Sequence, residues 1–519
     1  MPEKAQHPVV RVGLHSPPYG IMGFMKDIGR GALLALVLAT SACGRGPAPP
    51  PWPPPLLAPN GSAKAITESL KVQMPAMLER AAVPGLALAV LADGVVWSGG
   101  FGVADDSARR PVDAQTIFEA ASLGKPVLAA IALRLVEDGK LDLDRPIARD
   151  YQDPELAKDP LYPRITLRQL LSHTSGLANL RRGQPNVVHF PPGDHFSYSG
   201  VGFLTAQRLI EKVTKQPFDA VAARLVFEPA GMTNSSFVWQ TRFEDHTAVG
   251  HDENGHSTQK RRPSVPFAPA SLHTTAEDYG RFMAALVDGK LIHQPRVAEF
   301  WTEQVAVTPT CVECPGAVGP ERSSRVFWGL GWGIDRTPDG PAIWQWGDNE
   351  VFRSYAVLWP AKRAGLVYFT NSVNGLALRN DLVSHVLGGE HPDWEFVKYD
   401  QYDAPNVLAM KSVQAAFAKD PSAGAAEYRR QKALGHAPTD ETALDLLGFK
   451  FFTQHHTKTA IAVWELEVQE FPKSWHGYDS LGLAYRVTGE PERSIASYRK
   501  ALAINPADED AKKALAGGR

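Results

Sequence analysis

Residues 118–125 read Phe-Glu-Ala-Ala-Ser-Leu-Gly-Lys, and an apolar run through Leu135 follows Pro126. The run predicts a helix from Ser122 to Gly139, and Pro126 is tolerated near a helix start. A serine there sits at the positive end of the helix dipole. Lys125 lies one turn on, so both side chains share a face. On a desolvated face the lysine pKa falls, and the amine can accept or relay the serine proton. The spacing alone is weak evidence, because Ser257-Thr258-Gln259-Lys260 and Ser497-Tyr498-Arg499-Lys500 share it. The first of these reads as a polar loop and the second as a repeat helix. Context therefore singles out Ser122.

Working outward, residues 66–82 read as an amphipathic helix. Residues 86–91 and 95–102 read as buried strands around the turn Ala92-Asp93-Gly94. Residues 201–213 read as a helix, and strands return at 342–346, 354–359 and 365–370. Strands at both ends with helices between predict an α+β domain over residues 63–395, one antiparallel sheet with an inserted helical region.

The flanks differ in kind. Lys26 and Arg30 precede the apolar residues 32–39 and then Thr40-Ser41-Ala42-Cys43, the pattern of an export signal over residues 1–43. The segment resembles a bacterial lipoprotein signal, which would make Cys43 a lipidated first residue. Plain cleavage is the alternative, since Thr40 stands where such signals prefer Leu. Met22 or Met25 is an alternative start. Residues 44–62 are rich in proline and read as a stiff, extended tether.

Near the other end, Leu447-Gly448 recurs as Leu481-Gly482, Trp464 as Tyr498 and Pro472 as Pro506, each 34 residues apart. This resembles the tetratricopeptide repeat, a helix-turn-helix unit of that period. The small Gly lets paired helices approach, and the Pro stops the second helix. Two copies are clear. Residues 407–434 are expected to supply a degenerate third pair, giving a helical module over 405–519.

The chain has 519 residues and a formal net charge of −2. No basic run interleaved with aromatics points to nucleic acid. Beyond Cys43 the remaining cysteines form Cys311-x-x-Cys314. Two further ligands for a metal are not nearby, so the pair reads as a loop staple or two free thiols. There is no H-E-x-x-H, and His455-His456 reads as a solvated helix surface. Neither a metal nor an organic cofactor is expected.

Several ordered motifs then carry a family resemblance. Residues 118–125, Leu135-Val136-Glu137-Asp138-Gly139-Lys140-Leu141-Asp142-Leu143-Asp144, residues 165–177, Phe196-Ser197-Tyr198-Ser199-Gly200 and residues 227–232 follow one another in the family's order. Together they resemble the serine beta-lactamase and penicillin-binding-protein family, especially class C enzymes and their carboxylesterase relatives, over roughly residues 63–389. The resemblance implies Ser122 as nucleophile. It also implies Lys125 and Tyr198 as proton carriers, with the tyrosine pKa lowered by the neighbouring ammonium. The family usually has Asn two residues after this Tyr. Here it is Gly200, which counts against amide-bearing substrates, penicillins included.

The family's third motif falls on Gln345-Trp346-Gly347, where relatives place Lys or His first. The backbone N–H groups of Ser122 and Asp348 would form the oxyanion hole. An alternative register aligns Trp346-Gly347-Asp348 with the tryptophan-glycine variant of the esterase relatives. Gln345 weakens any anchor for a substrate carboxylate, and Arg353 is the candidate replacement. His173 belongs to a structural turn in this resemblance, and no G-x-S-x-G elbow supports a Ser-His-Asp reading.

The expectation is therefore an exported, periplasmic, lipid-anchored serine hydrolase. Its substrate would be a short-chain ester, a D-amino-acid peptide or a beta-lactam, in that order. The competing expectation is a catalytically weak scaffold recruiting a periplasmic partner through the repeats. No nucleic-acid partner is expected, and membrane contact only through the lipid.

Overall fold

The computed structural model describes residues 50–516 except 181–184, 253–256, 294, 310 and 439–440. The export signal and Cys43 lie outside the described residues.

The body is built on a nine-stranded antiparallel sheet. In spatial order the strands are Arg110–Pro111, Val95–Asp105, Gly85–Ala92, Ala364–Thr370, Arg353–Trp359, Gly340–Asp348, Gly333–Thr337, Val326–Trp328 and Val305–Ala306. The first strand in chain order, Gly85–Ala92, pairs with the last, Ala364–Thr370, from Leu86 opposite Thr370 to Ala92 opposite Ala364. The two ends of the body therefore close on each other, and everything between them is inserted.

Side-chain alternation along Gly85–Ala92 feeds two cores. Leu86, Leu88 and Val90 enter one apolar cluster, with Ile66, Leu70 and Met74 of the helix Ala63–Ala81. Ala87, Ala89 and Leu91 enter the other, with Val127, Leu128 and Ile131 of the helix Gly124–Glu137. That second helix is apolar nearly all round and correspondingly buried, so it cannot slide or turn outward. This is the helix that carries Lys125.

The expected helix and hairpin positions hold to within a few residues. The strands from 305 to 337 were not anticipated. The described part of the proline-rich stretch corrects the tether reading. Leu56 and Leu57 donate their N–H groups to Val386 O and Leu387 O, both at 3.0 Å. Trp52 stacks near His385. A proline-rich chain keeps its few N–H groups free to bond, and here they dock on the body.

The carboxy-terminal region is helical. Its antiparallel pairs are Pro405–Lys419 with Pro421–Ala433, Thr442–Thr453 with Thr457–Glu470, and Trp475–Val487 with Pro491–Ile504, followed by Glu509–Ala516. Two of the glycines lie close against an aromatic ring of the paired helix. A Cβ on Gly448 would lie 2.2 Å from Trp464 Nε1, and one on Gly482 would lie 2.6 Å from Tyr498 Cδ1. Among the described residues no helix is long and apolar enough to cross a membrane.

Candidate active site

Ser122 stands on a one-turn 3-10 helix, Ala121–Leu123, that leads into Gly124–Glu137. The preceding Ala121 has φ +50°, a conformation that costs a non-glycine residue energy. Neighbours hold it there. Ala120 N donates to Leu272 O at 2.8 Å, and Ser354 Oγ donates to Ala120 O at 2.9 Å. Tyr279 OH donates to Leu123 O at 3.0 Å. Gly347 packs over this turn. A side chain there would put Cβ 2.1 Å from Ser354 Oγ and 2.6 Å from Ala120 O, so the position excludes any larger residue.

Lys125 Nζ lies 2.7 Å from Ser122 Oγ and donates to Pro269 O at 3.2 Å. The lysine is 2% exposed. Burial lowers its pKa from the ordinary range to about 7, against a smaller opposing pull from the Glu313 carboxylate. Near neutral pH a large share of the amines is therefore uncharged, beside a hydroxyl with a proton to give.

Tyr198 closes the third side. Its hydroxyl is hydrogen-bonded with Ser122 and accepts from Gln345 Nε2 at 2.8 Å. Its ring lies 4.8 Å from Lys125 Nζ. The expectation of a lowered tyrosine pKa is corrected. Burial raises it well above the usual value, and the hydrogen bonds offset only part of that. The cause is desolvation: the phenolate is sealed from water, and the Glu313 carboxylate adds to the rise. Tyr198 is thus a phenol, a proton donor.

His173 supports this tyrosine from behind. Its Nδ1 accepts from Ser199 N at 2.8 Å, and its ring packs 4.3 Å from that of Tyr198. Burial holds it neutral, with its pKa well below the ordinary value. It does not bond to Ser122, in line with the structural-turn reading.

Side-chain alternation along the strand Gly340–Asp348 separates the two registers. Gln345 and Gly347 face the serine turn, with Gln345 Nε2 3.4 Å from Ser122 O. Trp346, one residue out of phase, points to the opposite face and meets Trp344 and Trp328 as well as the Tyr198 ring. The same alternation removes Arg353 from the site. Its neighbour Ser354 faces Ala120, so the guanidinium turns away. Arg353 pairs with the Asp348 carboxylate, and its Nε donates to Val373 O at 3.2 Å. Arg353 does not replace the missing cation.

Gly200 has a steric reason. A Cβ there would lie 2.7 Å from Asn179 O and 3.0 Å from Asn179 Oδ1. Asn179 Oδ1 instead accepts from Gly200 N at 3.0 Å, and its Nδ2 donates to Glu313 at 2.8 Å. Cys311 and Cys314 are joined in a disulfide that brackets Glu313. Asn179 and Glu313 escaped the sequence reading. Their pairing spans 134 residues of chain, which no spacing pattern reveals.

A family model described as Beta-lactamase matches residues 65–388. Esterase EstB of Burkholderia gladioli is 32% identical over 194 residues, 31% of this chain and 49% of that protein. Penicillin-binding protein 4 of Amycolatopsis lactamdurans is 25% identical, over 59% of this chain and 85% of its own. The chain spans about half the length of the curated relatives it matches first. Among solved structures, the D-alanine carboxypeptidase AmpC of Burkholderia cenocepacia superposes with a TM-score of 0.52. It is 22% identical and covers 63% of this chain and 100% of its own. An octameric penicillin-binding protein homologue from Pyrococcus abyssi gives 0.52 at 20% identity, covering 67% of this chain and 81% of its own.

Proposed function

The chain belongs to the beta-lactamase family, and from that premise we propose that it is a serine hydrolase working through an acyl-enzyme on Ser122. The observation that carries the reading is the 2.7 Å contact between Ser122 Oγ and a buried amine whose pKa has fallen to about 7. Lys125 takes the Ser122 proton as Oγ bonds to the acyl carbon. The N–H groups of Ser122 and Asp348 hold the resulting oxyanion. Collapse of the tetrahedral intermediate breaks the bond to the leaving group, which takes a proton from the Tyr198 hydroxyl. Tyr198 is then reprotonated by the Lys125 ammonium. Water deacylates Ser122 by the reverse roles.

Short-chain esters rank first as substrates, ahead of D-amino-acid peptides and beta-lactams. The neutral Gln345 and the diversion of Arg353 to Asp348 both support that order. The amino-terminal pattern supports export to the periplasm with a lipid anchor at Cys43. The period of 34 residues supports a tetratricopeptide-like module that binds a protein partner.

Intact mass after brief incubation with an activated short-chain ester, and separately with a penicillin, tests the reading on wild type and Ser122→Ala. An adduct on wild type alone is expected, faster with the ester. No adduct on folded protein with either reagent overturns it in favour of a binding domain.

A further inference from the structure

Glu313 sits on a loop fastened directly to the catalytic tyrosine's segment. Tyr198 N donates to Val312 O at 2.8 Å, and Cys314 N donates to Ser197 Oγ at 2.8 Å. His195 Nε2 bonds to Cys314 O at 2.9 Å. The Cys311–Cys314 disulfide closes the loop on both sides of Glu313. Asn179 Nδ2 then fixes the carboxylate, and the same Asn179 is bonded to Gly200 N, two residues from Tyr198. An exposed glutamate ordinarily samples many rotamers. This one is held in place before any substrate arrives, which lowers the entropy lost on binding.

The charges around it are lopsided. Glu313 is the charged group that acts on both Lys125 and Tyr198. Arg353, on the strand beside the third motif, is taken up by Asp348. His173 is held neutral by burial. At the third motif stands the neutral Gln345, whose Oε1 is sealed from solvent with no partner among the described residues.

We propose that Glu313 is a specificity residue that selects acyl groups carrying a protonated amine and rejects those carrying a carboxylate. This rests on the serine-hydrolase reading and names the substrate class for the same site.

The test compares kcat/KM for three p-nitrophenyl esters of matched length, with β-alanyl (cationic), butanoyl (neutral) and succinyl (anionic) acyl groups. Wild type is expected to rank them cationic, neutral, anionic. In Glu313→Gln the cationic-to-anionic ratio falls about tenfold, and in Glu313→Lys the order reverses. The wild-type ratio also shrinks as salt rises from low to about 0.5 M, because the carboxylate is open to solvent. Turnover of the butanoyl ester with a ratio that moves less than about twofold in both variants overturns the proposal and spares the hydrolase. Failure of all three esters to acylate Ser122 overturns both.

Discussion

Two regions of this molecule bury ionisable side chains, and burial drives each toward its neutral form. In the body, Lys125 is pushed down to about 7. In the helical module, burial raises the carboxyls of Asp445 and Glu467, Glu441 adds to the rise at Asp445, and Asp445 adds to the rise at Glu467. Asp479 is pushed up to about 7 by burial and by neighbouring acids. The physics is the same: a charge removed from water is disfavoured. The difference lies in what each group touches. Lys125 meets a half-buried hydroxyl at a turn held strained by its neighbours. Glu467 accepts from Ser474 Oγ, the side chain that caps the next helix. Asp445 accepts from Trp464 Nε1 and Ser480 Oγ. A perturbed pKa marks chemistry only where a nucleophile and a donor converge on it.

The largest effect that would break this contrast is at Lys125. Lys125→Ala should lower kcat/KM for the butanoyl ester by at least about 10³-fold with a melting temperature close to wild type. In wild type, kcat/KM should rise with pH through an apparent pKa of about 7 and level off above it, because only the uncharged amine can take the serine proton. A pH profile flat from 6 to 9 would sink the base assignment. Tyr198→Phe removes the donor and keeps the ring packed on His173 and Trp346. It should cost about 10²- to 10⁴-fold. The loss should be greatest for poor leaving groups, which need the proton, and smallest for p-nitrophenolate.

Much of this site was legible before any coordinates. Residues 118–125 and 196–200 each lie on one short segment, so spacing places Ser122 near Lys125, and the family resemblance of the second segment is what points to Tyr198. The central strands were legible because both faces are covered and their residues are apolar without a break, as in Gly85–Ala92 and Ala364–Thr370. What stayed hidden depends on contacts between distant segments. Val326–Trp328 and Gly333–Thr337 are too short and too mixed in composition to announce themselves. The sign of the Tyr198 shift depends on how dry the pocket is. Glu313 reaches the site through Asn179, 134 residues earlier in the chain. The direction of the Arg353 side chain followed from strand alternation only once Ser354 was seen against Ala120.

A smaller effect should separate the regions physically. In the module, Gly448 lies against Trp464 with no room for a methyl group. Gly448→Ala should destabilise the module by about 1–3 kcal/mol, as overpacking of a close helix contact does. Turnover of the butanoyl ester should stay within about twofold of wild type, because the substitution touches no residue of the body. Thermal unfolding followed by far-UV circular dichroism, alongside activity after heating, would check both halves. A parallel loss of activity at temperatures where the body should remain folded would show that the two regions unfold as one.

The last effect is the pH dependence of stability, and its sign should be opposite in the two regions. Asp479 has a folded pKa of about 7, against about 4 for an unfolded aspartate. Between those values the folded module holds more protons than the unfolded chain, so its stability falls as pH rises from 4 to 7. The penalty is absent below that window and complete above it. Asp445 and Glu467, also raised, add to the same slope. Lys125 works the other way. Its folded pKa of about 7 lies below the unfolded value of about 10.4, so the folded body holds fewer protons between them and gains stability as pH rises through that range. The module's transition should therefore move up by a few degrees when pH is lowered from 8 to 5, and Asp479→Asn should flatten part of that rise. An unchanged slope in Asp479→Asn would mean that the shift at this position is relieved by water in solution. The contrast with Lys125 would then rest on Asp445 and Glu467 alone.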